Sequence, residues 1–221
     1  MPGREDTHSR QPGRPQAAAG SSVHDDLLDA LRETLQEKLH SELTLKEIAD
    51  RAGTSPEMIR YYFGGKDGLI MALLKQTADR FARCMDELDA TILDELGSPV
   101  ARILRMLFDF YLAERHVTRV SLSEFQKAES KIHEDFLANR ADAVIGRIHA
   151  VLKRLVEAGR YDPAMDLRKT AMTIMTMVTG PVTFLSVLPA RWVSVEELQD
   201  PDWGLWLADL IDQRWRRDVQ D

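Results

Sequence analysis

Apolar residues recur along this chain at intervals of three and four, the period of a helix with one buried face. No stretch of useful length alternates with the period of two that marks a strand. Leu27, Leu28, Leu31, Leu35 and Leu39 form such rungs over residues 23–40, with acidic residues on the opposite face. Leu45, Ile48, Ala49 and Ala52 share one face of a short second segment, and Ile59 and Phe63 do so in a third. A long fourth segment over 66–93 turns Leu69, Leu73, Leu74, Phe81 and Leu88 inward. Gly97-Ser98-Pro99 interrupts the pattern, and Ser98 is placed to cap a fifth helix reaching Glu114. Further helices are predicted over 118–127, over 129–158 with Gly159 as its C-cap, over 162–189, and over 203–217. The predicted fold class is all-α, with about nine helices.

Composition narrows this picture. Of 221 residues, 44% are hydrophobic and 29% charged, which describes a soluble globular chain with room for a substantial core. Residues 1–22 stand apart. They are rich in Pro, Gly, Ala and Ser, repeat Pro-Gly-Arg at Arg4 and Arg14, and are expected to stay disordered. Pro12-Gly13-Arg14-Pro15 is open to two readings, an arm placing an arginine in a narrow minor groove or a solvated tail. The single cysteine, Cys84, excludes an intramolecular disulfide and fits a reducing cytoplasm, as a packed thiol or as one half of an intermolecular pair. No N-terminal apolar run resembles a signal peptide. Residues 170–190 lack any charge, yet Thr170, Thr173, Thr176, Thr179, Gly180, Pro181 and Thr183 make them unsuited to lipid. A helix buried at a subunit interface is the better expectation.

The informative chemistry lies in residues 44–66. Thr44 with Glu47 three residues later forms a capping box, Gly53 permits a sharp turn, and Ser55 with Pro56 opens the next helix. Ile59 and Phe63 return to the core, so Glu57, Met58, Arg60 and Tyr61 face outward. Small residues at Ala49 and Gly53, followed by apolar Ile59, are the spacing of a helix-turn-helix, whose helices cross closely. The formal net charge of −7 is unusual for a DNA-binding chain, but its distribution is uneven. Residues 43–66 hold four basic against three acidic residues, whereas residues 25–42 hold two against six. Non-specific affinity for DNA should therefore be weak and binding should depend on a few placed contacts.

At Thr44, Ile48, Ala49, Ala52, Gly53, Thr54, Ser55, Ile59, Tyr62, Phe63, Lys66, Asp67 and Leu69 the sequence resembles the TetR (tetracycline-repressor) family of transcriptional regulators. Arg60, where the family has tyrosine, and Gly65, where it has a capping Ser or Asn, depart from that pattern. Beyond Leu73 only length and helical layout are similar. The resemblance implies a disordered arm over 1–22, a helix-turn-helix DNA-binding domain over 23–68, and a helical effector-binding and dimerisation domain over 69–221. It also implies that Thr44, Lys46, Tyr61, Tyr62 and Lys66 contact phosphate or groove, Lys66 with the help of a helix dipole. Base reading then falls to Ser55, Pro56, Glu57, Met58 and Arg60. Arg60 is suited to guanine, to a phosphate, or to an i,i+3 pair with Glu57, and Glu57 to a cytosine amino group.

One such motif reads too few base pairs for a unique address, so a homodimer on a palindromic operator is expected. Trp203, Trp206, Leu207, Leu210 and Ile211 form an apolar stripe that, with Thr173, Thr176 and Gly180, suggests the dimer interface; burial in the monomer core is the alternative. Family members hold ligands among their middle helices. Here Met106, Phe110, Tyr111, Phe125, Phe136, Met172, Met175 and Thr179 are the candidate lining for a small, mostly apolar effector, or ordinary core. No phosphate loop, nucleophile elbow, Cys-x-x-Cys or paired histidines at metal spacing occurs, so no enzyme activity, cofactor or metal is expected, and no membrane partner. The expected protein is a cytoplasmic repressor released by its effector. A DNA-binding regulator governed by a protein partner, or by nothing, is the second reading, and a helical module without DNA binding the third.

Overall fold

Helix α1 (Val23–Glu37) begins where the Ser22 hydroxyl accepts the Asp25 amide, and it buries Leu27, Leu28, Leu31 and Leu35. The computed structural model describes residues 22–125, Glu134 and residues 141–217, so the minor-groove arm expected around Arg14 lies outside it. The apolar rungs predict a first helix continuing to residue 40. It ends instead at Glu37, a 3-10 turn follows over His40–Glu42, and Leu39 is exposed. The cause is tertiary: Arg119 of a later helix donates to the carbonyls of Leu35 and Lys38 and satisfies the helix end.

Helices α2 (Leu45–Arg51) and α3 (Pro56–Phe63) follow, and α4 (Lys66–Thr91) runs on into a 3-10 turn at Ile92–Asp94. The next helix, α5 (Pro99–Ala113), starts as predicted, with the Ser98 hydroxyl accepting the Ala101 amide at 3.0 Å. Helix α6 (Arg115–Phe125) follows directly, beginning three residues before its predicted start. Helix α7 (Ala141–Glu157) is the described part of the predicted seventh helix, ended by Gly159 at φ 75°. In α8 (Leu167–Phe184), Asp166 rather than Pro163 marks the start, its carboxylate accepting the Lys169 amide at 3.0 Å. A five-residue helix, α9 (Val195–Gln199), precedes α10 (Pro201–Trp215). The described residues thus form ten α-helices and no strand, as an all-α reading requires.

Two apolar cores form. The first joins α1, α2, α3 and the start of α4 around Leu31, Ile48, Ile59 and Leu69, and it also takes in Val117 and Val120 of α6. The second is built on α5, which packs against α8 and α10, with Phe108, Leu152 and Ile174 at its centre. Helix α4 belongs to both cores, through Leu69 to Leu74 and then Phe81 to Leu88, so a boundary at residue 68 falls inside one rigid rod. Among the described residues no helix is long and apolar enough to cross a membrane. Residues 170–184 of the uncharged stretch accordingly lie in half-buried α8, the exposed threonine hydroxyls turned back onto the helix's own carbonyls, and residues 185–190 lie beyond its end.

Candidate nucleic-acid interface

The first helix of the motif starts on the predicted capping box. The Thr44 hydroxyl accepts the Glu47 amide at 3.2 Å while the Glu47 carboxylate accepts the Thr44 amide at 3.1 Å. Glu47 also pairs with Lys38, just past the end of α1. The Lys38 ammonium, then the Thr44 amide and hydroxyl, hold the Glu47 carboxyl down at about 2. At the turn, Gly53 takes φ 64° and the Thr54 amide reaches back to the Ala49 carbonyl at 2.9 Å. This left-handed backbone, costly for any side chain, lets the chain turn sharply between α2 and α3.

Pro56 occupies the first position of α3, and Ile59 anchors the helix with no exposed surface. The Ser55 side chain does not cap the helix. The hydrogen bond from Ser55, then the Glu57 amide and the Arg60 charge, hold the Glu57 carboxyl below its ordinary range. Arg60 lies 3.6 Å from Glu57, the i,i+3 pair left open among the sequence readings, and both are exposed. Tyr61 is 78% exposed, and Tyr62 is exposed but leans on Tyr61 and on His24 of α1. Pro56 and Met58 are half-buried, Met58 against the first core, so they stand out from the helix less than Glu57 and Arg60.

Charge at this face is sparse. Of its four basic residues, Arg51 is held by both carboxylate oxygens of Glu37 at 2.8 and 2.7 Å, and Arg60 has Glu57. The Lys66 ammonium donates to the Leu43 carbonyl at 2.8 Å, tying the start of α4 to the residue before α2. Lys46 is exposed, with no ion-pair partner among the described residues. The sequence alone could not reveal the internal role of Lys66, because its partner is a backbone carbonyl 23 residues away. Gly64 and Gly65 both take positive φ, 72° and 137°, so Gly65 replaces a side-chain cap with backbone freedom.

Gly68 was not singled out from the sequence, yet a Cβ there would lie 1.8 Å from the Phe63 carbonyl oxygen. The signal was a glycine in the first turn of a long helix, where it costs about 1 kcal/mol relative to alanine unless close packing needs it.

The candidate effector residues do not converge on one cavity among the described residues. Tyr111 is buried against Phe81 and Phe110, and its hydroxyl lies 3.7 Å from the Met175 sulfur. Burial raises its pKa above the ordinary tyrosine value. Met106 and Phe110 line a surface groove between α4 and α5, Thr179 is half-buried, and Met172 lies on the exposed side of α8. The side chain of Phe125 and the whole of Phe136 lie outside the described residues.

The expected dimer residues divide as well. Leu207 and Ile211 point into the core of their own chain, because α10 turns that face onto α5, and Trp203 is half-buried beside them. Trp206 and Leu210 are exposed, as are Thr173 and Thr176, while Gly180 is half-buried. Met172, Phe184, Val187 and Leu188 extend the exposed apolar surface around α8, and Leu205 does so on α10.

With this geometry in place, the family model described as bacterial regulatory proteins, tetR family, matches residues 27–73. Over 82 residues the chain is 33% identical to the HTH-type transcriptional regulator BetI of Brucella canis, a match covering 37% of this chain and 39% of that relative's length. Two solved structures have the same fold. A Mesorhizobium loti protein described as a TetR-family transcriptional regulator is 12% identical, with a TM-score of 0.72 over 88% of this chain and 97% of that one. SmeT of Stenotrophomonas maltophilia, in a complex with triclosan, is 19% identical, with a TM-score of 0.67 over 89% and 93%. Residues 27–73 thus form an N-terminal helix-turn-helix domain of the tetR family of bacterial regulatory proteins.

Proposed function

We propose that this protein binds double-stranded DNA in the bacterial cytoplasm as a homodimer on a palindromic operator, represses transcription there, and is released by a small effector. The observation that carries this reading is the outward face of α3. Glu57, Arg60 and Tyr61 stand exposed on a helix whose other side is anchored by Ile59, the geometry of a helix that enters a major groove. Lys46 and Thr44 at the start of α2 are the phosphate contacts, with Lys66 and Tyr62 beside them. Arg60 and Glu57 are the base readers, with Ser55, Pro56 and Met58 filling the groove around them.

Dimerisation is supported by the apolar surface of α8 and α10, where Trp206 and Leu210 are exposed at a density that scattered surface residues do not explain. Reading heads on two copies would meet successive half-sites of one operator. Repression and effector release are supported by likeness of fold: SmeT is described as the repressor of a multidrug efflux pump, and its structure holds triclosan.

The test is retention of genomic fragments by the purified chain in a gel shift at low salt, with the stoichiometry of the complex read by sedimentation. Two protomers on one palindromic fragment are expected. Failure to retain any fragment would remove the DNA-binding reading.

A further inference from the structure

Helix α6 turns Arg115, His116 and Arg119 toward a single cleft. Leu122 of the same helix and Val182 and Leu185 of α8 supply its apolar walls, and the recess measures about 400 Å³. Four hydroxyl-bearing residues complete the described lining, and no acid does. The acids nearest along the chain are already engaged, Glu114 by Arg32 and Arg80, and Glu124 by His40 at 3.0 Å. Neither cleft arginine has a carboxylate partner among the described residues. Arg115 donates through one terminal nitrogen to the Leu112 carbonyl, and Arg119 through one terminal nitrogen to the carbonyls of Leu35 and Lys38. Each guanidinium has five N–H donors, so donors on both remain for a further acceptor. Burial, then the charges of Arg115 and Arg119, lower the His116 pKa below the ordinary histidine value.

We propose that this cleft binds a small organic anion with an apolar body, of which a medium-chain carboxylate is the simplest form. The head would lie between Arg115, His116 and Arg119, and the body would lie along Leu122, Val182 and Leu185. The volume falls within the range of small-molecule sites, roughly 300–1,000 Å³. Unlike the residues around Tyr111, whose rings fill their own space, this cleft is open.

Its position also gives it a route to the reading head. Arg119 holds the Lys38 carbonyl, Lys38 pairs with Glu47, and Glu47 completes the cap that starts α2. An anion that draws Arg119 into the cleft loosens the end of α1 and, through Lys38, the start of the motif. This coupling rests on the regulator reading, whereas the binding site does not.

The experiment titrates the full-length chain, with isotope-labelled histidine and backbone amides, with octanoate at constant ionic strength. Octylamine and octanol serve as probes with the same body and no negative charge. Octanoate should raise the His116 midpoint by about one pH unit, because a nearby negative charge favours the imidazolium. Arg115→Gln and Arg119→Gln should each weaken octanoate at least about tenfold, and Arg105→Gln, on the exposed side of α5, should not. A His116 midpoint indifferent to octanoate, or equal binding of octylamine, overturns the site. The amides of residues 35–38 and of Glu47 should move with the same titration. If His116 responds and they do not, the coupling is wrong. DNA is absent from this titration, so its outcome and that of the gel shift are read separately.

Discussion

Gly68 shows how one missing side chain can set the geometry of a reading head. The chain leaves α3 through two glycines at positive φ and re-enters a helix at once, so the first turn of α4 lies under the last carbonyl of α3. Gly68→Ala should therefore lower stability by about 1–3 kcal/mol, the usual cost of forcing atoms into a packed site. Gly146→Ala in α7, where a Cβ meets nothing within 4 Å, should instead raise it by about 0.4–1 kcal/mol. Urea denaturation distinguishes them, and an unchanged midpoint for Gly68→Ala would remove the close approach. Arg60 sits at the opposite extreme. It is exposed and held only by a loose pair with Glu57, so it can swing to a base edge. Arg60→Ala should relax preference at one base pair per half-site by about 1–3 kcal/mol, read by competition among operator variants. A uniform loss over all sequences would make it a phosphate contact. Thr44, Gly53, Pro56 and Ile59 were legible because caps, turns and anchors act over four residues or fewer, whereas the side-chain cap expected of Ser55 does not form. Gly68 and Lys66 were not, because what they touch belongs to another element.

At the scale of elements, the start of α2 depends on α1. The folded Glu47 carboxyl titrates at about 2, below its free value of 4.5, so its contribution is complete above about pH 4.5 and is lost as pH falls toward 2. Glu47→Gln should be less stable than the parent at pH 7, with the difference closing over that window in thermal unfolding. A difference that persisted at pH 2 would mean that packing, not charge, is responsible. Helix α10 makes the second case. Its sequence stripe is continuous, but α5 takes Leu207 and Ile211 and leaves Trp206 59% exposed, where the proposed dimer would cover it. Trp206→Glu should yield folded monomers in sedimentation velocity, and an intact dimer would place the interface elsewhere. Periodicity located most helices to within a few residues. It missed α9, since five residues are too few to show a period, although Ser194 and Glu197 stand at capping-box spacing.

Across the whole molecule, the two cores are joined by α4 and α6 and by a buried carboxylate between them. Glu114, 3% exposed, accepts from Arg32 of α1 and Arg80 of α4, and Arg32 also reaches Gln76. Glu114→Gln should cost about 3 kcal/mol, the low end for breaking a buried pair because Arg80 is half in solvent. Truncating the exposed Arg105–Asp109 pair should cost less than about 1 kcal/mol, and equal losses in calorimetry would argue against a shared node. By itself the sequence determined the all-α class, the capping box and turn of the motif, and that Glu57, Arg60 and Tyr61 face outward on α3, but not that Met58 turns toward the core. Helix period, N-cap chemistry and glycine φ are properties of neighbouring residues, so they can be read without a fold. Tertiary structure alone decided where α1 stops, what Lys66 holds, which half of the α10 stripe is core, and that Arg115, His116 and Arg119 share a cleft. Each of these rests on a group brought from elsewhere in the chain, and only packing decides which groups meet.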